Sequence, residues 1–314
     1  MDVRTLGGSG LRTPRLVLGG NVFGWTAAGE EGFAILDRFV EAGGTMIDTA
    51  DVYSAWIPGH QGGESETYIG EWLRRRGRRD DVLIATKVGM LPGDGGEKLE
   101  PARIAAAAEA SMRRLGTHID LYYAHQDDQN TPLAESLAAF DALVKAGKVR
   151  AIGASNYSAA RLAEALDISA REGLARYEVL QPEYNLMARA GFEGDLQQTC
   201  IDRGLGVLPY FGLASGFLTG KYRGAADKAK SVRGGRMDAY LNDKGFAVLA
   251  ALDAVAAETG ATPAQVALAW LAARPGVTAP IASATSRAQL DELLGVLTLE
   301  LSGEQVERLA AAAG

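Results

Sequence analysis

The stretch GGTMIDTADVYSAW, residues 43–56, joins a short apolar strand to a polar segment. The strand core, TMI at residues 45–47, would ordinarily end in a turn or a helix cap. It ends instead in Asp48, and Tyr53 follows five positions later. A carboxylate at the tip of an apolar strand is costly unless another group compensates its charge. The ends of the other strands therefore decide how this stretch is interpreted.

Short apolar runs of this kind alternate with amphipathic segments along nearly the whole chain. The apolar runs are residues 15–20, 45–49, 82–88, 119–125, 149–155, 178–182, 205–210 and 278–283. The helical patterns cover about 30–42, 65–76, 101–115, 133–146, 158–172, 189–203, 243–259 and 263–274. Continuous apolar runs are typical of strands covered on both faces, and βαβα order implies a parallel sheet with outer helices. Eight such units predict an α/β protein with a closed (β/α)8 TIM barrel rather than an open doubly wound sheet.

Two helix starts carry a complete sequence signature. Thr262 and Gln265 flank Pro263, and Ser302 and Gln305 repeat the spacing near the end of the chain. A hydroxyl residue at the N-cap with glutamine three positions later predicts the reciprocal hydrogen bonds of a capping box. Proline suits the first helical position.

No linker or shift in composition divides the chain, so we expect residues 1–314 to form a single barrel domain. The leading residues, about 3–14, predict a small hairpin that closes the barrel floor. Residues 211–242, after the seventh strand, have little periodicity and many Gly, Lys and Arg residues. Connections of this length in a compact domain are usually functional or disordered.

The composition, 47% hydrophobic and 23% charged, is that of a soluble globular protein. The net charge of −7 argues against a nucleic-acid partner, which needs clustered basic charge. Cys200 is the single cysteine and cannot form an internal disulfide; we expect it to be a buried apolar residue on a helix. The sequence shows no signal peptide and no apolar run long enough to span a bilayer, so we expect a cytoplasmic protein without a membrane partner.

Polar side chains stand at the ends of most of the predicted strands. Barrel enzymes build their active sites from the residues at the carboxyl ends of the strands. In chain order these residues are Asp48 with Tyr53, then Lys87, His125, Ser155 with Asn156, Gln181 and Tyr210. Each alone could be structural, as an ion pair, a core histidine or a half-buried aromatic. Their convergence on one mouth from strands distant in sequence predicts a catalytic site.

These residue types suit hydride transfer to a carbonyl group. Negative charge develops on the carbonyl oxygen and must be neutralised. Tyr53 can give the proton, a Lys87 cation beside the phenol would favour its phenolate form, and Asp48 would balance the charge of that lysine. His125 can donate a hydrogen bond to the same oxygen. The three histidines, His60, His118 and His125, show no metal-ligand spacing, so no metal is expected.

Six motifs in order resemble the aldo-keto reductase superfamily: MIDTADVYS, ATKVG, IDLYYAHQDD, GKVRAIGASNYS, QPEYN and GFLTGKY. The resemblance runs from LVLGGNVFG to ASATSRAQLDEL, and is to the bacterial branch, the channel-subunit-like and the long-loop members. It implies a (β/α)8 barrel that uses NADPH, less often NADH, without a Rossmann domain. It also implies that Tyr53 is the general acid/base and that Asp48, Lys87 and His125 complete a tetrad.

The resemblance further implies the cofactor contacts. Ser155, Asn156 and Gln181 match residues that hold the nicotinamide carboxamide, and Tyr210 matches the aromatic residue that stacks on the ring. Leu213, Lys221 and Arg233 match contacts of the long loop over the pyrophosphate, and Arg287 the cation at the adenosine phosphate. The complete implied set is Gly20, Asn21, Val22, Asp48, Ser155, Asn156, Gln181, Tyr210, Phe211, Gly212, Leu213, Ala214, Gly216, Lys221, Arg233, Ser283, Thr285, Arg287, Gln289 and Glu292.

The chain departs from the family pattern in three places. Residues 126–128 read QDD where many relatives have a Pro-Asp step, and residues 281–284 read IASA where relatives often have Ile-Pro-Gly-Ala. The adenosine segment contains no lysine, so the expected preference for NADPH over NADH depends on Arg287.

The substrate pocket is predicted from aromatic residues in the loops after the first two strands. Phe23, Trp25, Trp56 and the Ile57–Pro58 step lie where the mouth of the barrel is expected. They predict an apolar pocket for a small-molecule carbonyl or alcohol, as small-molecule sites commonly have. Packing of the loops against each other is the alternative.

Two other functions remain open from the sequence. A Schiff-base aldolase of the same fold would use Lys87 as its nucleophile. A non-catalytic regulatory subunit would bind nucleotide and a partner protein, although nothing here resembles a partner-binding extension. The sequence leaves the natural substrate and the oligomeric state open.

Overall fold

The computed structural model describes residues 2–230 and 234–314. It begins with an antiparallel hairpin of β1 (Val3–Thr5) and β2 (Arg12–Pro14), at the place where the sequence predicts one. Leu6 and Leu11 in the hairpin turn are buried together with the side chains that fill the barrel interior. The hairpin therefore covers one end of the barrel, and it does so with apolar side chains.

Eight parallel strands form the barrel, which confirms the predicted fold class. They are β3 (Val17–Gly19), β4 (Met46–Asp48), β5 (Leu83–Val88), β6 (Ile119–Ala124), β7 (Val149–Ser155), β8 (Tyr177–Gln181), β9 (Gly206–Val207) and β10 (Ile281–Ala282), in the order β10-β3-β4-β5-β6-β7-β8-β9. The ring closes because the Thr278 N–H donates to the Val207 carbonyl at 2.8 Å and the Ile281 N–H donates to the Pro209 carbonyl at 2.9 Å.

The outer layer consists of helices that follow the strands. They are α1 (Gly29–Glu41), α2 (Glu64–Arg76), α3 (Pro101–Leu115), α4 (Leu133–Lys145), α5 (Ala159–Glu172), α6 (Asp195–Asp202), α7 (Asp243–Thr259), α8 (Pro263–Ala273), α9 (Arg287–Leu294) and α10 (Gly303–Ala312). The eight predicted helical segments are present. Both capping boxes are confirmed: the Thr262 and Ser302 side chains accept from the glutamine N–H groups, and the glutamine side chains accept from the N-cap N–H groups in return.

One helix boundary differs from the sequence prediction. The predicted helix at 189–203 begins only at Asp195. Gly194 has a φ of 99°, a left-handed conformation that ends the preceding turn and that a helix interior does not contain. Arg189 is held outside the helix by Glu193 and by the Ala310 carbonyl, so a tertiary contact overrides the local helical pattern.

The long segment 211–242 contains short 3-10 turns in the part that the structure describes. These are Ala214–Thr219, Ala225–Lys230 and Gly234–Ala239. Arg233, a predicted cofactor contact, lies outside the described residues. In the described ranges no single helix is long and apolar enough to cross a membrane. The helices Asp243–Thr259 and Pro263–Ala273 reach that length and apolar composition only as a pair, with a 94° bend between them.

Candidate active site

Asp48, Tyr53 and Lys87 meet at the carboxyl ends of β4 and β5. The Lys87 ammonium is fully buried and donates to Asp48 Oδ2 at 2.6 Å, to the Thr49 carbonyl at 2.7 Å and to the Tyr53 hydroxyl at 3.3 Å. Three acceptors thus satisfy the three ammonium protons. The strand ends that the sequence predicted to converge do converge here.

The charges of these groups are set by burial and by each other. Burial disfavours the Lys87 ammonium, but Asp48 and Tyr53 outweigh it and raise the pKa of Lys87 above its ordinary value of 10.5. Burial also raises the pKa of Tyr53 above 10.0, and the Lys87 cation opposes that rise. The influence of Lys87 on the phenol has the predicted sign but is smaller than the effect of burial. Tyr53 therefore keeps its proton at neutral pH.

His125 completes the group from the end of β6. The backbone N–H of His125 donates to the Val88 carbonyl at 2.8 Å, which fixes the backbone beside β5. The His125 ring lies edge-on to Tyr53, with 6.0 Å between the ring centroids. Burial lowers the pKa of His125 well below 6.5, and Lys87 lowers it further. His125 is therefore a neutral imidazole, and its buried Nδ1 has no hydrogen-bond partner within the described ranges.

A chain of polar side chains continues from Asp48 around the barrel mouth. Gln181 Nε2 donates to Asp48 Oδ1 at 2.8 Å, so both oxygens of that carboxylate are paired. Asn156 Nδ2 donates to the His125 carbonyl at 2.9 Å, and the Tyr210 hydroxyl donates to Asn156 Oδ1 at 2.8 Å. The Ser155 hydroxyl donates to the Gln181 carbonyl at 2.8 Å. These four predicted cofactor residues lie beside the tetrad.

The residues after β3 form the next part of the mouth. Asn21 Oδ1 accepts a hydrogen bond from the Ser283 hydroxyl at 2.6 Å, which joins the loops after β3 and β10. Gly20 packs closely against the end of β4, since a Cβ there would lie 2.9 Å from the Asp48 carbonyl oxygen. The Val22 side chain is buried in the core.

The segment after β9 has an unusual backbone. Phe211, Ala214, Ser215 and Gly216 have φ values of 56°, 47°, 58° and 95°. Runs that mix right- and left-handed residues form concavities that bind anions. Gly212 packs against α8, where a Cβ would lie 2.9 Å from a Leu268 methyl. Leu213 is half-buried and Lys221 is exposed. Ser215, within the same segment, is a candidate contact that the sequence motifs do not indicate.

The predicted adenosine segment forms the start of α9. Gln289 Oε1 accepts from the N–H and the hydroxyl of Thr285 at 2.9 and 3.0 Å, so it stabilises its own turn. The Arg287 side chain is exposed and forms no ion pair with the described residues, whereas its backbone N–H donates to Glu31 Oε1 at 2.9 Å. Glu292 uses its carbonyl to accept from Gln265. Glu31 is a neighbour that the sequence did not indicate.

Two tryptophans stand beside Tyr53. Trp56 is 51% exposed and lies edge-on to Tyr53 at 5.7 Å and to Trp25 at 6.2 Å. Trp25 Nε1 donates to the Asn21 carbonyl at 2.6 Å. Phe23, which the sequence also placed in the pocket, is instead fully buried and stacks on Tyr68 at 5.7 Å. The aromatic wall at the mouth therefore consists of Trp25 and Trp56.

Sequence comparisons relate the chain to known proteins. The sequence model of the aldo/keto reductase family matches residues 15–313. The chain is 33% identical to the uncharacterized oxidoreductase YrpG of Bacillus subtilis, over 98% of this chain and 95% of that protein. It is 33% identical to L-glyceraldehyde 3-phosphate reductase of Escherichia coli K12, over 93% and 86%. It is equally similar, at 33% over 93% and 90%, to a probable voltage-gated potassium channel subunit beta of Arabidopsis thaliana.

Proposed function

The chain belongs to the aldo/keto reductase family, and we propose that it reduces an aldehyde or a ketone to an alcohol with NADPH, Tyr53 donating the proton. The observation that carries the proposal is the contact of the Lys87 ammonium with both Asp48 and the Tyr53 hydroxyl. Oxidoreductases are among the similar proteins, which supports the reaction class.

The residues present fit a nicotinamide cofactor. The segment 211–216, in which Phe211, Ala214, Ser215 and Gly216 have positive φ, suits an anion such as the pyrophosphate. Ser155, Asn156 and Gln181 offer donors and acceptors for a carboxamide, and Tyr210 offers an aromatic face. Bound there, the nicotinamide would supply the hydride that attacks the carbonyl carbon.

The tetrad residues transfer the proton and stabilise the charges that form. As negative charge develops on the carbonyl oxygen, the Tyr53 hydroxyl gives its proton to that oxygen, and the product is an alcohol. The phenolate left behind is stabilised by the Lys87 cation 3.3 Å away and takes its next proton from solvent. Neutral His125 can donate a hydrogen bond to the same oxygen without adding a charge.

The geometry favours a reductase over a Schiff-base aldolase. A nucleophilic lysine needs a neutral amine. Asp48 and Tyr53 raise the pKa of Lys87, which keeps the amine protonated. Borohydride should therefore fail to trap a substrate on Lys87.

A panel of aldehydes and ketones, followed by the loss of NADPH absorbance, tests the proposed function. We expect turnover with at least part of the panel. Tight NADPH binding without turnover on any carbonyl would contradict the proposal and would favour a nucleotide-binding regulatory subunit.

Replacing Trp56 by alanine should change substrate selection. If Trp56 and Trp25 form one wall of the pocket, Trp56→Ala should raise KM for bulky aromatic carbonyls by about tenfold and leave KM for small aldehydes nearly unchanged. Loss of uniform binding appears in KM with kcat little changed. Trp25→Ala should act in the same direction. Equal effects on both sizes of substrate, with a lower melting temperature, would instead identify the tryptophans as packing residues.

Replacing Arg287 by alanine should weaken NADPH binding but not NADH binding. The exposed guanidinium at the start of α9 has no partner in the described residues and suits the 2′-phosphate. A charge-assisted hydrogen bond contributes about 1.5–3 kcal/mol, so Arg287→Ala should cost about tenfold to a hundredfold in NADPH affinity.

Glu31→Gln is the companion variant for this titration. The Glu31 carboxylate accepts from the Arg287 N–H and repels a phosphate, so its neutralisation should tighten NADPH more than NADH. Equal losses of both cofactors in Arg287→Ala would show that Arg287 does not recognise the phosphate.

A further inference from the structure

Asp51 is a buried carboxyl group that the tetrad does not use. It lies between Asp48 and Tyr53 in sequence, is 1% exposed, and has neither carboxyl oxygen hydrogen-bonded within the described part of the chain. Its backbone N–H donates to the Lys87 carbonyl at 3.2 Å, so the backbone at Asp51 is held beside β5. A buried carboxyl group without a hydrogen bond is costly and calls for an explanation.

The surroundings of Asp51 are charged on several sides. Glu66 on α2 is fully buried. Its carboxylate accepts hydrogen bonds from the Thr86 hydroxyl at 2.5 Å and from Arg114 Nε at 2.6 Å. Tyr122 on β6 has a buried hydroxyl that forms no hydrogen bond with residues 2–230 or 234–314. Glu66 is therefore already paired, and Arg114 is engaged by it.

Arg103, in the first turn of α3, connects Asp51 to a second loop. Its Nη2 lies 3.6 Å from Asp51 Oδ2 and donates to the Leu91 carbonyl at 2.9 Å, while Nη1 donates to the Asp94 carbonyl at 3.2 Å. Leu91 and Asp94 belong to the loop that follows β5. One guanidinium thus faces both the Tyr53 segment and the loop after β5.

We propose that Asp51, as an uncharged carboxylic acid, is a positioning residue for Tyr53, and that its ionisation draws Arg103 away from the Leu91 and Asp94 carbonyls. In the acid form, Arg103 stays hydrogen-bonded to the loop that follows β5, and the segment that carries Tyr53 packs against β5. The ionised form places a carboxylate 3.6 Å from the guanidinium, within reach of a charge-assisted hydrogen bond.

The electrostatics agree with this assignment. Burial and the like charge of Glu66 raise the pKa of Asp51 from 3.8 to about 8, against lowering by Arg103, Arg114 and the Val52 amide. Between about pH 4 and pH 8, Asp51 is therefore protonated in the folded chain and ionised in the unfolded chain. Stability is lost as pH rises through that window, and the cost is constant above it.

Ionisation also acts on the proposed chemistry. An Asp51 carboxylate raises the pKa of Tyr53 further, and movement of Arg103 would displace the segment that carries the phenol. This part rests on the proposed function. The experiment therefore includes one arm that detects the ionisation of Asp51 from stability and requires no turnover.

The first arm compares thermal unfolding of the wild type and Asp51→Asn from pH 6 to pH 9. Asparagine resembles the uncharged acid and cannot ionise. The melting temperature of Asp51→Asn relative to wild type should rise by about 3 °C or more over this range. Asp202→Asn, at an exposed position on α6, should parallel the wild type. Parallel curves for Asp51→Asn would overturn the proposal.

The second arm measures kcat/KM against pH for a carbonyl substrate. In the wild type the value should fall about tenfold around pH 8, since small displacements of a reacting group are expensive. Asp51→Asn should lose that fall. An unchanged fall in Asp51→Asn would overturn the positioning of Tyr53, and absence of turnover in every variant would contradict the proposed function and leave the first arm decisive.

Arg103→Gln keeps the test open if Asp51→Asn does not fold. Arg103 lowers the pKa of Asp51, so its removal should move the alkaline inflection to higher pH. An inflection that stays at the wild-type pH would overturn the proposal, because Asp51 and Arg103 would then be uncoupled.

Discussion

Tyr53→Phe should lower kcat by at least about 100-fold, the typical cost of losing a general acid. The hydroxyl is the hydrogen-bond acceptor of the Lys87 ammonium at 3.3 Å, and phenylalanine keeps the ring in contact with Trp56 and His125. The loss should therefore come from the missing hydroxyl, which gives the proton, and not from lost ring packing. Steady-state turnover on a carbonyl that the wild type reduces measures it.

Two further measurements make the Tyr53 result specific. NADPH binding, followed by protein fluorescence, should hardly change in Tyr53→Phe. Tyr177→Phe is the matched control, because its hydroxyl is buried at the start of β8 and contacts Tyr157 at 3.2 Å; it should retain turnover. A Tyr53→Phe protein with nearly wild-type turnover would remove Tyr53 from the mechanism.

Lys87→Met should abolish turnover and also lower the free energy of unfolding by about 3–5 kcal/mol. The methionine fills the space of the lysine stem but leaves the Asp48 carboxylate buried, with Gln181 as its remaining donor. The cost arises because an uncompensated charge is left in the barrel. Denaturant unfolding at neutral pH, read from the midpoint and the slope, measures it.

The double variant Asp48→Asn/Lys87→Met separates the two effects of that substitution. Removing the carboxylate together with the ammonium should restore most of the stability, since neither charge is then left unpaired. Turnover should remain absent, because Tyr53 still lacks its cation. A Lys87→Met protein as stable as the wild type would mean that Asp48 is not a buried anion in the folded protein.

The barrel and the meeting of polar residues at its mouth were predictable because they depend on local pattern and on one topological rule. The apolar runs at β4 to β8 are continuous, and the capping boxes at Thr262 and Ser302 are complete within four residues. Parallel strands that alternate with helices bring all their carboxyl ends to one mouth. Asp48, Lys87 and His125 could thus be placed together without any knowledge of distances.

Other features depend on contacts between segments far apart in the chain. Three features each require a neighbour from another element: the buried Asp51 carboxyl without a hydrogen bond, the contact of the Glu31 carboxylate with the start of α9, and the burial of Phe23. The net rise in the Tyr53 pKa likewise reflects burial by the whole mouth, which outweighs the single cation that the sequence indicated. Periodicity tells which face of a segment is covered, but desolvation and charge at one atom depend on every group packed around it.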